Sequence, residues 1–383
     1  MSVVLSYSGG VSRGEFLAKS LAADNQLHSF YQPNISSSTK KTVAGSLLRE
    51  NVAIRMSRLI INHLNKALKK KPTKRYLISR ITDTLVAQQI QGGGRVFVGE
   101  SGICLRSLKV AKQLGYITIL DRTNSHILHQ NQIWENELRK NGAYWKPNSQ
   151  RVTACHLAEY EAADYIFVLS SFAKKTFLEN GVLSKKVILV PSGINSDIFN
   201  PRYVSKNIRK VIFCGSISLK KGAHHLLKAA EILKNLGVEV LMVGSTSSEI
   251  IEKLKNKSKN CTIMPRVPQP ELPEIYSGSC CFVLPSLEEG LPKVTLEAMA
   301  CGLPVITTEN AAGDDLVEEG RTGFIVPTGD PDLLSEKILW MVENPKEADA
   351  MGKRGLAKVE QNFTEKKYYE RFKDALSEIC KST

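Results

Sequence analysis

The chain has 383 residues, 42% of them hydrophobic, and a formal net charge of +14 at pH 7. Such a length holds two or three domains, each with its own core. The longest apolar runs, Met1 to Leu5 and Cys280 to Leu284, are too short to span a membrane, and the first residues read as a strand, not as a signal peptide. The eight cysteines show no CxxC or zinc spacing and read as buried thiols of a reducing cytoplasm.

The charge is uneven. Residues 1–200 hold 27 Lys and Arg against 13 Asp and Glu, whereas the remainder balances at 25 against 25. Residues 40–80 alone carry 12 basic residues and one acidic residue, Glu50. An excess so local points to an anionic partner for one domain.

Short apolar runs alternate with longer amphipathic ones, the signal of βαβ units and a parallel sheet. In chain order the pattern predicts strands at 3–7, 95–98, 116–120, 165–169 and 187–191. Between them it predicts helices at 14–22, 44–71, 105–114 and 172–180. In the second of these, Arg55, Arg58, Lys66 and Lys69 share one face, with Met56, Leu59, Ile60, Leu64 and Ala67 on another, and Lys70, Lys71, Lys74 and Arg75 extend the charge. A basic amphipathic helix of this kind suits an anionic lipid surface. After Asn200-Pro201 the rhythm restarts, with strands at 211–215, 239–243, 262–264, 281–284, 304–307 and 324–326 and helices that include 223–234 and 272–276. The simplest account is an α/β chain of two doubly wound domains, with ligand crevices at the strands' C-terminal ends.

Two constellations carry chemistry. A strand ending at Gly215 leads through Ser216 to Lys220, Lys221 and Gly222, and the missing side chain of Gly215 lets a ligand approach the backbone. The strand at 281–284 runs into a loop with Glu289, Gly290, Leu291 and Pro292. A helix bearing Val294, Thr295 and Glu297 follows, ended by Gly302-Leu303-Pro304. A helix N-terminus aimed out of a strand's end is an anion site, because its first N–H groups lack partners. Glu289 on the loop and Glu297 on the first helical turn bracket that site and can accept hydroxyl hydrogen bonds around a bound phosphate, as a sugar nucleotide requires.

These residues resemble the retaining glycosyltransferases of family 4, over nearly the whole chain and most strongly from Val211 to about Gly329. The resemblance implies the GT-B architecture, two Rossmann-like domains facing across a cleft. Residues 1–200 are expected as the acceptor-side domain and 201–363 as the nucleotide-sugar domain, with 364–383 as a C-terminal helix crossing back. It implies transfer of a sugar from a nucleotide-diphosphate donor of UDP or GDP type to a glycan, lipid-linked or small-molecule acceptor hydroxyl, with retention and with no metal or other cofactor. Glu289 would contact the donor sugar, Glu297 the ribose hydroxyls, and the amides near Val294 and Thr295 the diphosphate. Lys221 matches the family's phosphate-clamping lysine. Ser216 stands where an arginine is usual, and Lys220 is a candidate to replace that charge. Arg266 and Val267 match the segment that holds the base, and Gly9-Gly10 a loop lining the cleft.

The family's usual catalytic histidine slot holds Asp121, which leaves His126 as the acceptor-side candidate beside Glu289 and Lys221. His129 follows one turn on, but no further ligand cluster supports a metal there. Asp330-Pro331-Asp332 reads as a helix N-cap with a first-turn acid. The expected location is the cytoplasm, with peripheral contact at the inner membrane face. A nucleotide-sugar epimerase or hydrolase of the same fold is the nearest alternative. A basic nucleic-acid-binding protein is the alternative of another class, against which no helix-turn-helix, aromatic strand platform or zinc finger is found.

Overall fold

The computed structural model describes residues 1–8, 12–50, 72–142 and 148–382. The chain forms two compact units. The first comprises residues 1–123, 148–168 and 182–188; the second takes the rest.

In the first unit the strands are β1 (Val3–Ser6), β2 (Leu27–Gln32), β3 (Leu48–Glu50), β4 (Val96–Glu100), β5 (Ile117–Asp121), β6 (Tyr165–Val168) and β7 (Val187–Leu189). They lie in the order β3-β2-β1-β4-β5-β6-β7, and β1 pairs in parallel with both β2 and β4. Strands such as VVLS and YIFV bury residues on both faces, as a sheet covered on two sides requires. The expected strands near 3, 95, 116, 165 and 187 are present. The helix expected over 44–71 is not a helix at its start: Gly45–Leu47 is a single 3-10 turn and Leu48–Glu50 pairs in parallel with Phe30–Gln32 of β2. Tertiary pairing overrides local pattern there, and β2 itself was hidden by His28, Ser29 and Gln32 within an otherwise apolar run. Residues 51–71 lie outside the described residues. They include Arg55, Arg58, Lys66, Lys69, Lys70 and Lys71, while Lys74 and Arg75 fall on the backbone of a helix, Pro72–Gln89.

In the second unit β8 (Lys210–Cys214), β9 (Glu239–Val243), β10 (Cys261–Met264), β11 (Cys281–Leu284), β12 (Val305–Thr308) and β13 (Gly323–Val326) form a parallel sheet in the order β10-β9-β8-β11-β12-β13. That is the Rossmann order, and its direction reverses between β8 and β11. Phe213, Met242, Phe282, Leu284 and Val305 are fully buried in its core.

This unit is not contiguous in sequence. Residues 124–147 and 169–181 cluster with it, bringing the helices Ile127–Lys140 and Ser171–Glu179. The last helix, Glu365–Ser382, is tied to the stretch 191–194, where Ile194 N donates to Phe363 O at 2.8 Å and Arg371 Nη2 to Pro191 O at 2.9 Å. The six cysteines 104, 214, 261, 280, 281 and 301 are buried free thiols.

Candidate functional site

The turn-around point of the second sheet gathers most of the residues singled out from the sequence. The loop after β8 and the loop after β11 lie side by side, joined by a hydrogen bond from Leu287 N to Lys220 O at 2.9 Å. Gly222, at φ +66°, makes this approach possible, since a Cβ there would meet Pro285 O at 1.7 Å. Gly215, at φ +142°, has open space where its Cβ would stand, and Ser216 beside it is exposed. Lys221 Nζ forms an ion pair with Glu289 Oε1, which also accepts from Ser286 Oγ at 3.4 Å. The backbone of Glu289 is fixed separately, its N–H donating to Asn310 O at 2.8 Å.

Pro292 caps the helix Lys293–Ala300 without a side-chain hydrogen bond. The Thr295 amide is already used, donating to Pro292 O at 3.0 Å, so of the two amides expected at the anion site only Val294 N–H makes no bond among the described residues. The Thr295 hydroxyl is buried without a hydrogen-bond partner. Gly290, Leu291 and Pro292 are buried as the floor of the loop.

Glu297 falls in the second turn of this helix, one turn further in than the sequence pattern implied. It is 6% exposed, and burial raises its carboxyl to about 7 against the smaller opposing pull of Lys293, Gln269 and Tyr276. Gln269 Nε2 approaches Glu297 Oε1 at 3.4 Å, which brings the exposed Arg266 and half-buried Val267 segment alongside.

Lys220 points elsewhere. Its Nζ lies 3.7 Å from Glu288 Oε2 and 4.3 Å above the Trp134 ring. Glu288 is completely buried, yet its carboxyl is lowered: the upward push of burial is outweighed by Lys220 and by hydrogen bonds from Gln130 Nε2 at 2.8 Å and Ser125 N at 3.0 Å. Sequence reasoning missed this buried anchor because its partners stand 158 and 163 residues away. Only the doubled acid Glu288-Glu289 hinted at it.

His126 is the N-cap of the helix Ile127–Lys140, its Nδ1 accepting from Leu128 N at 3.4 Å. The residue is 2% exposed, with its ring edge-on to Phe177 and its backbone N–H bonded to Thr176 Oγ1 at 2.9 Å. Asp330 caps Pro331–Glu343, its side chain accepting from Leu333 N at 2.9 Å, as the Asp-Pro-Asp pattern predicted.

In the first unit the corresponding strand ends are polar. Asp121 at the end of β5 accepts from Tyr7 Oη at 2.6 Å and pairs with Arg13 at 2.8 Å, and Glu100 at the end of β4 accepts from Ser8 N at 2.7 Å. Gly9 and Gly10 lie outside the described residues. No described helix is long and apolar enough to cross a membrane.

Both folds and motifs have known relatives. CapM, the capsular polysaccharide biosynthesis glycosyltransferase of Staphylococcus aureus, is 26% identical over 247 residues, 59% of this chain and 64% of that protein. The chain spans less than two thirds of the length of the curated relatives it matches. Sucrose-phosphate synthase of Thermosynechococcus elongatus superposes over the full length of both chains with a TM-score of 0.68 at 18% identity. HepE of Anabaena, solved with UDP and glucose, covers 99% of this chain and 100% of its own with a TM-score of 0.70 at 13% identity. These likenesses establish the two Rossmann-like domains of the GT-B fold. The stretch that contains the Lys221 and Glu289 loops matches the model of the glycosyl transferases group 1, and residues 196–358 are a domain of that family.

Proposed function

We propose that the chain is a glycosyltransferase that moves a sugar from a nucleotide-diphosphate donor to an acceptor hydroxyl with retention of anomeric configuration. The observation that carries this reading is the ion pair between Lys221 and Glu289, on the loop that leads into the helix where Val294 N–H and the Thr295 hydroxyl have no hydrogen-bond partner among the described residues. The ammonium, the amide and the hydroxyl all suit a diphosphate. Glu289 and Glu297 flank them, as acceptors for the hydroxyls of sugar and ribose.

In the reaction the bond from the anomeric carbon to the diphosphate breaks, its electron pair leaving on phosphate oxygen as an oxocarbenium-like sugar forms. The acceptor oxygen bonds to that carbon on the same face, and its proton passes to the departing phosphate. Lys221 and Val294 N–H stabilise the charge that grows on the leaving group, from positions fixed before the reaction begins. Lys220 is committed to Glu288 and Trp134, so Lys221 is the cation for the diphosphate and Ser216 contributes at most a hydroxyl. His126, inward-facing as an N-cap, is assigned to shaping the acceptor side of the loop rather than to proton transfer. UDP is the first nucleotide to try, because HepE binds UDP and UDP-glucose on the same fold. The acceptor is a glycan, lipid-linked or small-molecule hydroxyl, and the basic stretch of the first half supports work at an anionic membrane surface, which flotation with anionic liposomes tests.

A thermal-shift screen of nucleotide diphosphates should reveal a ligand that stabilises the protein by mass action. With that donor, Lys221→Ala should lower transfer about 100- to 1,000-fold while leaving the fold intact by circular dichroism. Wild-type rates in that variant, or donor consumption that proceeds equally without acceptor, would refute the reading.

A further inference from the structure

A second cluster of chemistry-bearing side chains sits three residues past Lys221, where the helix Ala223–Ile232 begins. His224 and His225 both turn inward, 3% and 7% exposed, against Glu137 of the helix Ile127–Lys140. Glu137 Oε1 lies 2.6 Å from His224 Nε2 and 3.6 Å from His225 Nε2, and the imidazole centroids are 3.8 Å apart. A hydrogen bond from His224 to Glu137 accounts for one ring only. Both nitrogens of His225, and Nδ1 of His224, are buried without a hydrogen-bond partner. An orphaned buried polar atom is costly, so two adjacent rings turned onto one carboxylate need a further reason.

We propose that Glu137, His224 and His225 form a binding site for a divalent transition metal of the zinc class, which staples the helix that follows the Lys221 loop to the helix Ile127–Lys140. One ligand atom from each residue lies within 4.8 Å of the others. Ligands held at about 2.0–2.1 Å around a tetrahedral ion stand roughly 3.3 Å apart. The His225 pair is already near that spacing, and the His224 pair needs to open by less than about 1 Å. Two imidazoles and one carboxylate are a donor set suited to Zn²⁺ and its neighbours, not to Mg²⁺ or Ca²⁺, which prefer all-oxygen shells. A water completes the shell. Asn141 Nδ2, 2.8 Å from Glu137 Oε1, holds the carboxylate from behind as an outer partner. The Lys140 ammonium, 4.0 Å from Oε2, reaches in from solvent and is free to swing away. This proposal stands apart from sugar transfer, since none of the three ligands is a residue assigned to the donor.

The test is zinc titration of the full chain after chelator treatment, followed by calorimetry, with cobalt as a spectroscopic substitute. The expected result is one equivalent of tightly bound Zn²⁺ and the intense visible bands of low-coordinate Co²⁺. Both should be lost in His225→Ala and in Glu137→Gln, with circular dichroism of the metal-free proteins unchanged. Should either variant fail to fold, the cobalt spectrum of the unaltered chain still decides. Weak, six-coordinate bands, no stoichiometric zinc uptake, or uptake that the variants retain in full would overturn the proposal.

Discussion

Glu297 shows how one buried carboxyl can set two pH responses of opposite sign. Its folded value of about 7 lies above the ordinary 4.5, with burial as the cause. A group raised in this way contributes stability that is complete below the unfolded value and is lost as pH climbs through the folded one, on the order of 3 kcal/mol. The ligand-free protein should therefore lose melting temperature between about pH 5 and pH 8, and Glu297→Gln should flatten that slope. Nucleotide affinity should run the other way. In the proposed function ribose hydroxyls donate to this carboxylate, so binding should tighten as Glu297 ionises, and calorimetry across the same range should show that trend in the parent protein but not in Glu297→Gln. Glu288 behaves differently because its environment supplies Lys220 and two hydrogen-bond donors. Glu288→Ala should cost about 2–3 kcal/mol in denaturant unfolding, since it strands two buried donors and takes the partner from the part-exposed Lys220. A loss below about 1 kcal/mol would mean that Lys220 and Gln130 find water instead.

At the scale of elements, the candidate site is two loops that depend on one glycine. Gly222→Ala would force a side chain into Pro285 O and a left-handed φ onto alanine. The expected loss in denaturant unfolding is more than about 2 kcal/mol, together with weaker nucleotide binding. Much of this was legible in the sequence. The Glu289-to-Glu297 spacing, the glycines at 215 and 222 and Pro292 are local features, and each has its meaning within one strand–loop–helix unit. The anchor at Glu288 and the paired histidines were not legible, because they meet Ser125, Gln130 and Glu137 on or just before the helix Ile127–Lys140, far away in the chain. Nor was β2: a strand buried on both faces need not look apolar when it carries Ser29 and Gln32.

For the whole molecule, the decisive fact is that the second unit is assembled from three stretches of chain. A fragment that starts at residue 201 would lack Gln130, Ser125 and Trp134 around Glu288 and Lys220, and Glu137 beside His224. It should unfold at lower temperature than the parent and bind nucleotide poorly. Equal stability of fragment and parent in a calorimeter would show that the earlier segments are dispensable. The same interleaving has a consequence for biosynthesis. Gln130 leaves the ribosome 158 residues before Glu288, and at 5–20 residues per second it waits roughly 8–30 s for that carboxylate to emerge. Throughout that interval the amphipathic segment with Trp134 has no second sheet to dock on, so its apolar face must wait uncovered until the later strands are made.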